Sequence, residues 1–200
     1  MANTRHTIGL RPIDQPYGNI RANYYEAATG VALYMFQPVT LDANGRIIFG
    51  VANSAGSALL GSVLGFADDS FCPLPNPYLA ANPGLAYTAN SAGLVKVFVA
   101  DDPNQFYVIE ENTGGTALDA QAVGASVSFT YLASGTGNTT NGIANAVLLR
   151  ATAGAVNNGV NSLRLIKKWD KLDNAYGNYC KWIVKIDNHF MTATSSGGVI

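Results

Sequence analysis

Charge is what this chain has least of. Only 12% of its 200 residues are Asp, Glu, Lys or Arg, against about 25% in an ordinary soluble domain. The 12 cations and 13 carboxylates leave a net charge of −1. That is no cationic excess for phosphate contacts, so nucleic acid is not an expected partner. Cysteine is nearly absent. Cys72 and Cys180 are too few for a disulfide scaffold and read as two buried thiols. The start, Met-Ala-Asn-Thr-Arg-His-Thr, lacks the apolar core of a signal peptide. Residues 47–67 are uncharged, but Asn53, Ser54, Ser57, Ser62 and four glycines make them a poor lone helix in lipid. They read as two strands and a loop, and no membrane partner is expected. Helix signals are scarce too. Only residues 116–123 suggest a short helix, with Thr116 as N-cap and Asp119 three residues on.

What remains is strand. Hydrophobic residues make up 48% of the chain, enough for a sizeable core and too many for disorder. The apolar period is two. Cys180, Trp182, Val184 and Ile186 alternate with Lys181 and Lys185; Val127, Phe129 and Tyr131 alternate with Ser126, Ser128 and Thr130. Leu163, Leu165 and Trp169 share a face, with Lys167 breaking the row. Residues 94–100 and 105–111 flank an Asp-Asp-Pro-Asn turn and read as a hairpin. Residues 33–41 and 46–51 flank an Asp-Ala-Asn-Gly turn and read as another, and 59–66 as a further strand. Residues 68–90 and 134–145 read as long loops. The expected fold is all-β: a single antiparallel β-barrel or sandwich with long loops, one short helix and an extended N-terminal arm. The expected divisions are an arm and lead-in over residues 1–30, the β domain over 31–190, and a tail over 191–200.

Residues suited to chemistry are sparse. His6 and His189 stand apart, and Cys72, Cys180 and His189 lack metal-ligand spacing. No Gly-x-Ser-x-Gly elbow or phosphate loop occurs. Among the paired carboxylates, Glu110 and Glu111 are the better candidates for an acid–base pair, since one of two adjacent strand residues must face the core. Ten Tyr, with Trp169 and Trp182, are candidates for a sugar-stacking surface, although both Trp sit on apolar strand faces that suit a core. No catalytic residue, metal or cofactor is expected.

Three segments stand out together: residues 7–13 (TIGLRPI), residues 97–111 (VFVADDPNQFYVIEE), and residues 163–177 (LRLIKKWDKLDNAYG) followed by 181–189 (KWIVKIDNH). In order and spacing they resemble a family of tailed-bacteriophage capsid decoration, or cement, proteins. The Pro-rich stretch at residues 72–82 and the tail after Met191 have no counterpart in it. The resemblance implies a non-enzymatic, all-β structural virion protein. It would be made in the host cytoplasm and bound to the outer surface of an icosahedral capsid. Its partners would be the major capsid protein and further copies of itself, a homotrimer being favoured. A carbohydrate-binding or adhesion module on the virion surface is the alternative. The arm is the expected interface. Ile8 and Leu10 are two apart, so an extended chain presents both to one side; Pro12 holds Arg11 out of helix. Ile8, Leu10, Arg11 and Pro12 are thus expected to add to an exposed sheet edge of the capsid or of a neighbouring copy, with Arg11 meeting an acidic group.

Overall fold

The structure is a computed structural model that describes residues 3–13, 18–52, 57–80, 95–132, 135–150 and 161–192. It is all-β, as expected, and its sheets pack as a sandwich without closing into a barrel. The first sheet runs β1 (Arg11–Ile13), β9 (Phe106–Glu110), β14 (Lys181–Ile186), β13 (Leu163–Lys168) and β10 (Ser126–Val127). The second runs β2 (Asn23–Glu26), β8 (Val95–Ala100), β6 (Gly61–Asp68), β4 (Pro38–Leu41) and β5 (Ile47–Phe49). Two short ribbons complete it: β3 (Leu33–Tyr34) with β7 (Tyr78–Leu79), and β11 (Phe129–Tyr131) with β12 (Ala146–Leu148). Every pairing between these strands is antiparallel.

Two apolar clusters follow from this layering. One joins the inward row of the first sheet (Tyr107, Ile109, Trp182, Val184, Leu163, Leu165) to Phe129 and Leu148 of the β11–β12 ribbon and to Leu10. The other joins Val63, Val97, Val99 and Val39 of the second sheet to Leu33 and Leu79 of the β3–β7 ribbon. The sheets are thus two-sided readers of the period-two pattern, each inward row finding its own cover.

The β4–β5 hairpin forms as read, its turn closed by Asp42, whose Oδ1 accepts from the Asn44 and Arg46 N–H groups at 2.8 and 2.9 Å. The other expected hairpin does not form. β8 and β9 lie in different sheets, because each already has two neighbours: β2 and β6 flank β8, and β1 and β14 flank β9. The Asp101–Asn104 turn is therefore a corner between sheets. Asp101 is buried there, accepting from Asn23 Nδ2 at 3.0 and 2.9 Å and from the Tyr25 hydroxyl. The Tyr107 hydroxyl crosses the corner to the Ala100 carbonyl at 2.8 Å. A turn composition specifies reversal of the chain, not which sheet the returning strand joins.

Three further departures have local causes. The helix expected at 116–123 is one 3₁₀ turn at Ala120–Ala122, capped by Asp119 rather than Thr116; the Asp119 carboxylate accepts from the Gln121 N–H at 2.9 Å. The stretch 33–41 splits into β3 and β4 around Phe36, whose φ is +60°. Of the long loops, residues 81–94 lie outside the described residues, while 68–80 and 135–145 carry bridges and Asx turns. The tail is described only to Thr192.

His189 closes the first sheet's last strand against Leu59, bridging it in parallel. It is buried, and its Nδ1 accepts the Met191 N–H at 3.2 Å, so the ring is neutral with its proton on Nε2. Burial pushes its pKa below the ordinary 6.5, against the opposing pull of the Leu60 and Asp101 backbone. The unfolded chain therefore takes up the proton first. Stability from this group is complete above pH 6.5 and is lost as pH falls from there through the folded-state value. The urea midpoint is expected to drop between pH 7 and pH 5 in the wild type and to drop less in His189→Gln. Equal slopes for the two proteins would show that His189 does not titrate on unfolding.

Candidate functional site

The arm is not a free tail. It is strapped to its own chain from residue 3 onward. Asn3 Nδ2 donates to the Ala175 and Asn178 carbonyls at 2.7 and 2.9 Å, and its Oδ1 accepts the Ala175 N–H at 2.9 Å. The Arg5 guanidinium lies 6.0 Å from the Tyr179 ring centroid. The His6 N–H donates to Glu110 Oε2 at 2.7 Å. Gly9 then turns the chain with φ +64°, where a Cβ would stand 2.5 Å from the Phe36 carbonyl oxygen. Beyond it, Leu10 is fully buried and β1 pairs with β9, Arg11 opposite Val108 and Ile13 opposite Phe106.

Strand addition by this segment thus takes place, but onto the chain's own sheet. A further strand finds few donors on β1's other side. Pro12 has no N–H, and the Leu10 N–H is spent on the Phe36 carbonyl at 2.8 Å. The Gly9 turn also separates the two residues expected to act together. Leu10 points into the core, Pro12 is buried, Ile8 is half-buried and Arg11 is exposed. Of the four expected interface residues, only Ile8 and Arg11 offer side chains outward.

Those two line a surface cavity of about 410 Å³ together with Pro12, Ile13, Ile20, Val108, Trp169 and Lys181. The register explains how they meet. Arg11, Val108 and Ile183 form one rung across β1, β9 and β14, on the face opposite the Tyr107–Val184 core row. Lys181 faces Glu110 on the rung two residues away, hence on the same side. Trp169 joins them because of a bulge. Pairing slips between Leu165 and Lys167, so Lys168 rather than Lys167 stands opposite Trp182. One inserted residue moves everything after it to the other face. Trp169 is therefore half-buried at the cavity instead of sharing the core face of Leu163 and Leu165. Its N–H donates to the Lys181 carbonyl at 2.9 Å, and Lys171 Nζ sits 5.1 Å from its ring centroid. Asn174 fixes this hairpin end, donating to the Trp169 and Lys181 carbonyls and accepting the Lys181 N–H, each at 2.8 Å. In sequence, Lys181 reads as an outward strand residue and Trp169 as a stacking candidate on an apolar face; that Trp169 turns out beside Lys181 is not legible there, because a bulge leaves no compositional mark.

Glu110 and Glu111 are both buried and both engaged. Glu111 Oε1 accepts from Arg150 Nε at 2.6 Å and the Leu118 N–H at 3.0 Å; Oε2 accepts from the Trp182 indole at 2.9 Å. Burial pushes both carboxyls above the ordinary carboxylate range, opposed in Glu110 by the His6 N–H and in Glu111 by the Leu118 N–H and then Trp182. Their oxygens tie the arm, Leu118 and Arg150 to the first sheet, which is an architectural use of two carboxylates. Cys180 is buried and Cys72 exposed, both as free thiols; the expectation of two buried thiols holds only for Cys180. Among the described residues no group of three or more His, Cys, Asp or Glu is placed to hold a metal ion, and no helix is long and apolar enough to cross a membrane. A second cavity, about 400 Å³, is lined by Asn104, Arg164, Lys185 and Asp187 among others, and Arg164 is held there by Asp187 in a two-point pair at 2.8 Å. Comparison with protein-family models, curated proteins and solved structures found no match.

Proposed function

We propose that this protein is a structural component of a tailed-phage virion that decorates the outer capsid surface as a homotrimer, clamping neighbouring major capsid subunits. The observation that carries the reading is where the family-like segments fall. Residues 7–13, 163–177 and 181–189 supply β1, β13 and β14, and residues 97–111 supply β9 together with most of β8, so four of the five strands are neighbours in one sheet and the fifth belongs to the other. Segments scattered in sequence thus build most of one sheet and, through the Asp101–Asn104 corner, its link to the other, as a shared structural unit would. Low charge supports it too, since little repulsion opposes the crowding of identical copies. Local three-fold positions on a shell match closed cyclic symmetry, and many weak contacts sum by avidity.

Light scattering on the free protein is expected to give about three times 21.0 kDa. Addition to undecorated capsids is expected to fill sites in proportion to local three-folds and to raise the shell's thermal stability. A monomer both free and on the shell rules out the trimer; no binding to shells rules out decoration. The half-buried Trp169, with the exposed Tyr24 and Tyr176, favours glycan binding on the virion surface as a second reading. A glycan array with a defined hit lost in Trp169→Ala would select it.

A further inference from the structure

We infer that the cavity beside β1 binds an extended acidic segment of a protein partner, a strand in which one apolar or aromatic side chain is flanked by carboxylates two residues to either side. The inference deepens the decoration reading and rests on it for who the partner is; the chemistry of the site rests on the groove alone.

Among the described residues the lining has two cations, no carboxylate, and an apolar floor of Val108, Ile8 and Ile20 with Trp169 as a wall. Among the described residues neither Arg11 nor Lys181 takes part in an ion pair. Glu110 stands on the Lys181 rung, but it is buried beneath the arm with Oε2 taken by the His6 N–H. The Glu110 carboxylate offsets part of the Lys181 charge from beneath the arm, and the two cations together still leave the described rim of the groove net positive. Lys171 and its ring contact with Trp169 add to the same sign at the wall.

Spacing selects the ligand's form. Arg11 and Lys181 lie two strands and two residues apart, with Val108 between them. At ordinary strand spacing and rise, that is roughly 12 Å between their Cα atoms. An extended peptide covers about 13 Å from residue i to i+4, and residues i, i+2 and i+4 share a face. A carboxylate at each end then meets Arg11 and Lys181, while the side chain at i+2 rests on Val108 and Trp169. With β1 short of edge donors, recognition falls to these side chains rather than to strand addition. Arg11 is suited to it, since a guanidinium takes a carboxylate in two-point fashion.

The test uses the full chain and an N-acetylated, C-amidated peptide Glu-Ser-Phe-Ser-Glu, followed by the Trp169 indole signal in two-dimensional NMR. The expected result is a saturable shift of Trp169 that weakens as salt rises from about 50 to about 300 mM. The peptide Gln-Ser-Phe-Ser-Gln and the variants Arg11→Gln and Lys181→Gln are each expected to bind at least about tenfold more weakly. Lys185→Gln, at the other cavity, is expected to bind normally. Absence of a Trp169 shift, or an equal shift by the Gln peptide, overturns the inference. Glutarate binding as tightly as the peptide makes the groove a small-carboxylate site, and displacement by a neutral oligosaccharide makes it a glycan surface; both also overturn it. Capsid occupancy is scored separately. Wild-type occupancy with no peptide binding fails the groove alone, and peptide binding without occupancy fails the decoration reading alone.

Discussion

Trp182→Ala is expected to lower stability by about 3–5 kcal/mol, the range for removing a large aromatic side chain from a packed core. Trp182 is fully buried in the middle of the first sheet, flanked by β9 and β13. Its loss empties the centre of the larger apolar cluster. It also removes the indole donor from Glu111 Oε2, leaving that oxygen buried without this partner. Trp182→Phe separates the two effects, keeping much of the volume and losing the donor, at a cost of about 1–3 kcal/mol. Urea unfolding followed by circular dichroism measures both. A Trp182→Ala midpoint equal to that of the wild type would place the ring at the surface and remove the core assignment.

Deleting residues 2–12 is expected to destabilise the whole domain, not merely to trim an appendage. Leu10 is fully buried, and a Leu→Ala change at such a site costs about 2–5 kcal/mol by itself. Truncation also takes away most of β1, the Ser62 Oγ–Leu10 carbonyl bond of 2.5 Å and the His6 N–H that satisfies Glu110. A buried carboxylate oxygen without its donor adds about 1–3 kcal/mol. The sum reaches a large share of the 5–15 kcal/mol that typically holds a domain together. The truncated chain is expected to unfold or aggregate at room temperature, with Leu10→Ala lying between it and the wild type. A truncated chain as resistant to urea as the full one would show that the strap contributes nothing. Surface changes such as Arg11→Gln are expected to stay within about 0.5 kcal/mol, so they probe binding without this cost.

The all-β class, most strand positions, the β4–β5 hairpin and the burial of Trp182 were legible from the residues. Each depends on local period or turn chemistry. Cys180, Trp182, Val184 and Ile186 read as one face because nothing interrupts β14. Asp42, Asn44 and Gly45 read as a turn because the bonds that close it are made within it. The acidic pair was legible as unusual but not as structural, since the partners of Glu111 lie 7, 39 and 71 residues away.

Tertiary structure alone decided the rest. The arm's sequence shows an extended segment with apolar residues and no stripe of its own; that it completes this chain's sheet depends on β9 offering an edge at hand. The separation of β8 from β9 depends on each strand's other neighbours. The outward turn of Trp169 depends on a one-residue slip against β14, and the side-by-side placing of Arg11, Val108 and Lys181 on the register of three strands. Periodicity along a chain records which residues wish to be buried. Register, bulges and sheet membership are set by competition among distant segments, and that competition leaves no trace within any one of them.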